Sequence, residues 1–253
     1  MKLPQPLYTV YERSLAASLP VEKLPQHIGV LVDGNRRWAA LSGQSTKHGH
    51  QAGAARIIEF LGWCTELRIP MVTLYMLSTE NLKRSSEELT DLVEVIEGFI
   101  GQLADSGLAR IRAVGQLESL PDSLRSAFEG ATAQTENVQD LQVNVAVGYG
   151  GRQEIADAVR GLLREAATSG ASLAELSESI TIDDISRHLY TSGMPDPDLL
   201  IRTSGEQRLS GFMTWQSAYS EFYFCEALWP DFRRVDFLRA LRDYAQRQRR
   251  FGS

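Results

Sequence analysis

A carboxylate, a glycine, an amide and two arginines stand in a row at Asp33-Gly34-Asn35-Arg36-Arg37, directly after the apolar run Ile28-Gly29-Val30-Leu31-Val32. Aspartate holds hard cations through oxygen, and arginine grips phosphate oxygens with two parallel hydrogen bonds. Side by side they suit a magnesium-bound phosphate ester. A plain helix cap with solvated arginines is the competing reading of this stretch alone, because aspartate is a favoured N-cap. Groups of the same type recur further on. Ser78-Thr79-Glu80-Asn81 is followed by Arg84, and Gly148-Tyr149-Gly150-Gly151-Arg152 forms a glycine-rich turn. Arg202-Thr203-Ser204-Gly205-Glu206-Gln207-Arg208-Leu209-Ser210 adds two more arginines and two more serines. Arginines, hydroxyls and glycine turns that open helices are all anion-binding elements. Donors in this number would serve two diphosphates.

Such groups need a scaffold that brings them together. Six segments read as strands: His27–Asp33, Met71–Leu77, Ile111–Val114, Gln142–Val147, Leu199–Thr203 and Glu221–Cys225. Several are near-continuous apolar runs, as parallel strands covered on both faces tend to be. Between them, Leu89, Leu92, Val93, Ile96, Phe99, Ile100 and Leu103 fall at helical spacing after Ser85. The stretches 123–134, 152–167, 182–190 and 235–248 also read as helices, and residues 5–19 form a helix within an N-terminal arm spanning 1–24. The pattern predicts one α/β domain over 1–253, with a six-stranded, mainly parallel sheet flanked by helices. Four of the polar groups come directly after strands, so a parallel sheet carries them to one edge, where open α/β sheets bind ligands.

Composition narrows the partners. The chain has 253 residues, 43% hydrophobic and 23% charged, with a formal net charge of −6. That balance argues against nucleic acid, which demands a basic face. It also makes local arginine clusters more telling. Cys64 and Cys225 are the two cysteines and lie far apart in apolar contexts, which predicts two reduced, buried thiols rather than a disulfide or metal site. No run approaches a membrane span. A cytoplasmic protein is expected, with at most peripheral membrane contact.

The ordered motifs resemble those of the cis-prenyltransferases, the family that includes undecaprenyl diphosphate synthase. The resemblance rests on Val32-Asp33-Gly34-Asn35-Arg36-Arg37-Trp38-Ala39, Gly49-His50, Ser78-Thr79-Glu80-Asn81, Gly148-Tyr149-Gly150-Gly151-Arg152 and Leu200-Ile201-Arg202-Thr203-Ser204-Gly205-Glu206. It continues through Trp215-Gln216-Ser217-Ala218-Tyr219-Ser220-Glu221 and Trp229-Pro230-Asp231-Phe232. The arm Pro6-Leu7-Tyr8-Thr9-Val10-Tyr11-Glu12 further resembles actinobacterial short-chain members that make Z,E-farnesyl diphosphate.

The resemblance implies a cis condensation of isopentenyl diphosphate with an allylic diphosphate, dependent on Mg2+. Asp33 matches the essential carboxylate, with Glu221 as the second acid at the metal. Gly34, Asn35, Arg36, Arg37, Trp38 and His50 match the allylic diphosphate site. Arg202, Arg208, Leu209 and Ser210 match the isopentenyl diphosphate site. Ser78, Thr79, Glu80, Asn81 and Arg84 match the segment joining the two, with Asn81 assisting proton removal. Arg250-Phe251-Gly252 resembles a tail that completes the site across a homodimer. Three positions depart from the family pattern. Thr46 stands in place of a usual arginine, for which Lys47 is a candidate substitute; Leu82 replaces a common tryptophan, and Gly148 a common asparagine.

Product length points to one residue. Alternation along a strand puts Leu74, Met76 and Ser78 on one face. Ser78 belongs to the polar rim, so Met76 is expected about 6–7 Å deeper in the path of a growing tail. Long-chain members commonly carry alanine there, and a bulky Met76 implies a short product. A dehalogenase-like phosphatase would need a second aspartate where Asn35 stands. A non-catalytic accessory subunit would have lost groups that are all present here.

Overall fold

The computed structural model describes residues 5–83 and 85–247. Arg84 and the Arg250-Phe251-Gly252 tail, both expected to contribute to the site, lie outside the described residues. Six strands form one sheet in the order β3-β4-β2-β1-β5-β6, and every neighbouring pair is parallel. They are β1 (His27–Leu31), β2 (Met71–Ser78), β3 (Arg110–Val114), β4 (Gln142–Tyr149), β5 (Leu199–Arg202) and β6 (Glu221–Phe224). The expected strands are all present, with ends shifted by one or two residues.

The helices are α1 (Gln5–Ala17), α2 (Asn35–Leu41), α3 (Thr46–Glu66), α4 (Ser86–Ser106), α5 (Asp122–Gln134), α6 (Gly151–Ser169), α7 (Leu173–Ser179), α8 (Ile182–Arg187) and α9 (Arg234–Gln246). The helical pattern in the sequence does not mark α3 or α7, and it gives α2 no extent beyond the strand-to-helix turn at Gly34. It also ran α8 three residues too far and began α9 one residue late. The 21-residue α3 escaped because Gly49, Gly53 and Gly62 weaken its helical signal. Two of those glycines are required. A Cβ on Gly49 would lie 2.4 Å from the Asn35 carbonyl, and one on Gly53 would lie 2.3 Å from Asn35 Oδ1. Their absence of side chains lets α2 lie directly against α3.

The larger core cluster fills one face of the sheet, where Ile28, Val30, Val72, Leu74, Val143 and Val145 meet residues of α3, α4, α5 and α9. The α4 stripe read from the sequence is there, with Leu92, Val93, Ile96, Phe99, Ile100 and Leu103 buried. The opposite face carries a smaller cluster around Leu31, Tyr149, Leu200, Phe212 and Met213. Cys64 is buried as expected. Cys225 is only half-buried, because β6 is an edge strand.

That second face also holds a buried polar chain. His27 Nδ1 is 2.8 Å from the Pro195 carbonyl, and its Nε2 is 2.7 Å from Thr73 Oγ1. Asn144 Nδ2 donates to the same hydroxyl at 3.1 Å. Burial holds the His27 pKa below its ordinary value, despite the Pro195 bond and Asp198 acting in the other direction. The unfolded chain therefore binds a proton at His27 more readily than the folded one. This contribution is complete above about pH 6.5, the unperturbed histidine pKa, and is lost as pH falls toward the lower folded value. Thermal melts should show Tm declining between pH 7 and 5.5, and His27→Gln should flatten that decline. A variant with the wild-type slope would contradict this assignment.

Candidate active site

At the carboxyl edge of the sheet, β1 neighbours β2 on one side and β5 on the other. The chain runs from β1 outward to β2 and later returns to β5 on the opposite side. The join between β1 and β5 is therefore the topological switch point. Asp33 and Arg202 meet there: Arg202 Nη2 donates to Asp33 Oδ2 at 2.8 Å. Arg202 is 4% exposed, whereas the Asp33 carboxylate is 38% exposed and opens to the cavity. The other end of the guanidinium donates to the Arg208 carbonyl and to Ser210 Oγ, the latter at 3.0 Å. One arginine thus fixes the carboxylate of one loop against the backbone of another.

The turn that presents Asp33 is held from behind. Thr203 Oγ1 donates to the Asp33 carbonyl at 2.7 Å, and the Trp229 N–H donates to it at 3.0 Å. Gly34 has φ 110°, in the left-handed region, and a Cβ there would come within 2.9–3.1 Å of Leu228. Only glycine fits this exit comfortably. The chain then enters α2 with Asn35, Arg36 and Arg37.

The cavity above this edge has a volume of about 1680 Å³. It exceeds the roughly 300–1,000 Å³ of ordinary small-molecule sites, so it can hold two ligands, one of them long. Its mouth is polar, with Asp33, Gly34, Asn35, Arg36, Arg37, His50, Ser78, Thr79, Glu80, Asn81, Arg202 and Ser210 in the wall. Ser78 and Asn81 are locked together: Ser78 Oγ donates to Asn81 Oδ1, and the Asn81 N–H returns to Ser78 Oγ at 3.1 Å. Tyr75 Oη points at the Tyr149 and Ser210 carbonyls, 3.4 Å from each. Burial first, and Glu80 second, push its pKa up to about 12, so Tyr75 stays a neutral donor. A second lobe is apolar and runs between α3 and α4, lined by Ala54, Ile57, Met76, Leu92, Val95 and Ile96.

Met76 lines this lobe, but not through simple alternation. The pairing of β2 with β4 slips between Tyr75 and Leu77, leaving Met76 as an extra residue. Leu77 therefore joins Leu74 and Met76 on the α3–α4 face, and the bulge re-aims the strand end. Gly148 takes up the compensating slip on β4 with φ 56°, a conformation asparagine tolerates less readily than glycine.

Other expectations need correction. Glu221 opens β6 and pairs through β5 with Ile28 at the start of β1. It lies at the opposite edge of the sheet, at least about 10 Å short of the end of β1 at ~3.3 Å per residue, with its carboxylate on Arg247 at 2.5 Å. Within one chain it cannot share a metal with Asp33. Trp38 does not line the cavity and stacks on His48 with centroids 6.0 Å apart. Leu209 packs into the smaller core cluster, and Arg208 sits on the exposed rim, paired with Glu206. Lys47 does not substitute for the missing arginine: it bonds Asp91 at 3.0 Å and Glu94 at 2.5 Å on α4. Those bonds raise its pKa. Thr46 and Leu82 both line the cavity, so these two departures bear on ligand fit directly.

Among the described residues no three potential metal-ligating side chains come together. Asp33 nevertheless fits magnesium. One oxygen is bonded by Arg202 and the carboxylate faces an arginine-rich cavity. Magnesium is commonly held by one or two carboxylates with waters and substrate phosphates, rather than by a protein cage.

The family model for putative undecaprenyl diphosphate synthase matches residues 31–252. The chain belongs to this family of prenyltransferases. It is 58% identical to a (2Z,6E)-farnesyl diphosphate synthase of Thermobifida fusca, over 98% of this chain and 97% of that protein. It is 52% identical to a short-chain Z-isoprenyl diphosphate synthase of Mycobacterium leprae, over 99% and 97%. The crystal structure of lavandulyl diphosphate synthase from Lavandula x intermedia in complex with dimethylallyl diphosphate superposes with a TM-score of 0.86. It shares 33% identity and covers 92% of this chain and all of its own. The likeness to these prenyltransferases spans both the sheet and the strand-end motifs described above.

Proposed function

We propose that the protein is a short-chain Z-isoprenyl diphosphate synthase, condensing isopentenyl diphosphate with an allylic diphosphate to give a product such as Z,E-farnesyl diphosphate. The observation that carries this reading is the Asp33–Arg202 contact at the switch point, set between an arginine-rich mouth and an apolar lobe. The names of the Thermobifida and Mycobacterium relatives support the cis geometry and the short product.

In this reading Arg36 and Arg37 hold the allylic diphosphate, with its tail between α3 and α4. Breaking the allylic C–O bond spreads positive charge over carbon while negative charge grows on the leaving oxygens. Donors aimed at those oxygens lower the barrier. Arg202, Arg208 and Ser210 hold isopentenyl diphosphate so that its alkene faces the allylic carbon, which supplies the orientation term. The new C–C bond forms at that carbon. Asn81, fixed by Ser78, assists the departing C2 proton on its way to the released diphosphate, which accepts it. Magnesium, when held through Asp33, supplies Lewis-acid neutralisation of the diphosphate charge. The reading takes the enzyme to act in the cytoplasm, with any membrane contact made through its apolar product. Among the described residues no helix is long and apolar enough to cross a membrane. Incubating the purified chain with isopentenyl diphosphate and C5, C10 or C15 primers, then sizing the products, tests the proposal; no condensation with any primer would refute it.

Arg208 provides a finer test. A charge-assisted contact is worth about 1.5–3 kcal/mol, so Arg208→Ala should raise KM for isopentenyl diphosphate tens-fold with a smaller effect on the allylic substrate. Weakening of the allylic substrate alone would reverse the assignment of the two sites.

We further take the active form to be a homodimer. The support is β6, an edge strand whose outer ladder has no partner strand among the described residues. Phe222 and Phe224 stack there at 6.2 Å, and Tyr219 beside them is 78% exposed. Sedimentation should give a dimer, and deleting residues 249–253 should impair catalysis without unfolding. A fully active truncated monomer would contradict both expectations.

A further inference from the structure

The loop after β5 carries an acid that the proposed chemistry does not use. Glu206 is ion-paired with Arg208, and its Oε1 lies 3.8 Å from Arg37 Nη2. Arg37 also donates to the Ser204 carbonyl at 3.2 Å. One carboxylate therefore spans an arginine from the β1–α2 turn and an arginine from the β5–β6 loop. The two arginines belong to the two different diphosphates of the proposed reaction. Elsewhere in the mouth Arg36 pairs with Glu88 at 3.4 Å and Arg202 with Asp33 at 2.8 Å.

The backbone is shaped to put Glu206 there. Ser204 and Gly205 have φ of 77° and 74°, two successive left-handed residues that reverse the chain. Serine adopts that conformation only where its surroundings hold it. Here the Ser204 N–H donates to the Ala227 carbonyl at 2.7 Å and the Gly205 N–H to the Cys225 carbonyl at 2.9 Å. A Cβ on Gly205 would lie 2.6 Å from Glu226 Oε2. The turn is thus fixed, while the Glu206 side chain above it is 31% exposed.

A carboxylate and a diphosphate compete for the same guanidinium N–H donors, here Nη2 of Arg37 and Nη1 of Arg208. Solvent-exposed pairs such as these are weak, so a polyanion can displace the carboxylate. We propose that Glu206 is an internal competitor for the diphosphate groups. It holds Arg37 and Arg208 facing each other in the empty site and yields to an arriving diphosphate. By returning to Arg37 it weakens the hold on the inorganic pyrophosphate that the allylic substrate leaves there after condensation, and so favours its release. The proposal rests on the diphosphate reading of the mouth given above.

Calorimetric titration of inorganic pyrophosphate into the full chain, with magnesium in the buffer, tests it. Glu206→Gln should bind pyrophosphate about three- to tenfold more tightly than wild type, the gain shrinking as salt rises. Glu206→Asp should stay near wild type. Glu226→Gln, which makes the same charge change beside the same turn, should shift affinity less than twofold. A merely structural role for Glu206 cannot tighten binding, so equal or weaker binding by a Glu206→Gln protein of unchanged Tm overturns the proposal. Equal tightening by Glu226→Gln also overturns it, by making the effect one of net charge. No pyrophosphate binding by wild type would instead overturn the diphosphate reading itself.

Discussion

Asp33→Ala should abolish turnover, lowering the rate at least about a thousandfold, and leave the fold intact. The loss exceeds the 10²–10³ typical of removing one transition-state donor because the carboxylate does two things at once. It is the cavity's hard-cation ligand in the proposed reaction, and it aligns Arg202, which is 4% exposed and bonded to it at 2.8 Å. Without Asp33 that buried guanidinium keeps only the Arg208 carbonyl and Ser210 as partners. The fold survives because the turn is held through its backbone, by Thr203 and Trp229 on the Asp33 carbonyl. Neither contact involves the side chain that is removed. Product formation and a thermal melt on the same preparation decide the matter. Near-wild-type turnover by a folded Asp33→Ala protein would remove Asp33 from the chemistry.

The placement of Asp33 was legible because two independent signals agree on it. An apolar run buried on both faces marks a parallel strand, and parallel strands deliver the residues at their C-terminal ends to one edge. The same rule carried Ser78, Asn81, Arg202 and Ser210 to the cavity. It also warns against Glu221, which begins its strand instead of ending it and so falls at the opposite edge. The motif resemblance alone places Glu221 at the metal. Periodicity failed where glycine served packing. The role of α3 as one wall of the apolar lobe was invisible because Gly49 and Gly53 exist to admit Asn35, not to favour a helix. Lys47 could not be placed from sequence either, since its partners Asp91 and Glu94 lie far along the chain on α4. Charge pairs across that separation leave no local pattern.

Met76 is where sequence and structure agree on the residue and differ on the route. Strict alternation sets it two residues below Ser78, but the bulge at Tyr75–Leu77 makes Met76 the unpaired residue of β2. Bulges re-aim side chains next to active sites, and this one puts a flexible thioether in the apolar lobe opposite Ile57 of α3 and Ile96 of α4. Methionine also fills core gaps readily, so lining the lobe does not by itself prove that Met76 limits the product. Removing the side chain separates the two roles. A gap-filler replaced by alanine leaves a cavity costing about 2–5 kcal/mol with the same product. A stop at the end of a tail channel leaves room that the tail can occupy. Because Met76 is half-buried against open space, the stability cost should sit at the low end of that range. Met76→Ala should therefore condense at a comparable rate and shift its products toward longer chains by at least one isoprene unit, read by mass spectrometry after reaction with a C10 or C15 primer. An unchanged product distribution would return Met76 to the core and move the length limit to Ile57, Leu92 or Ile96, the other large side chains that close the same lobe.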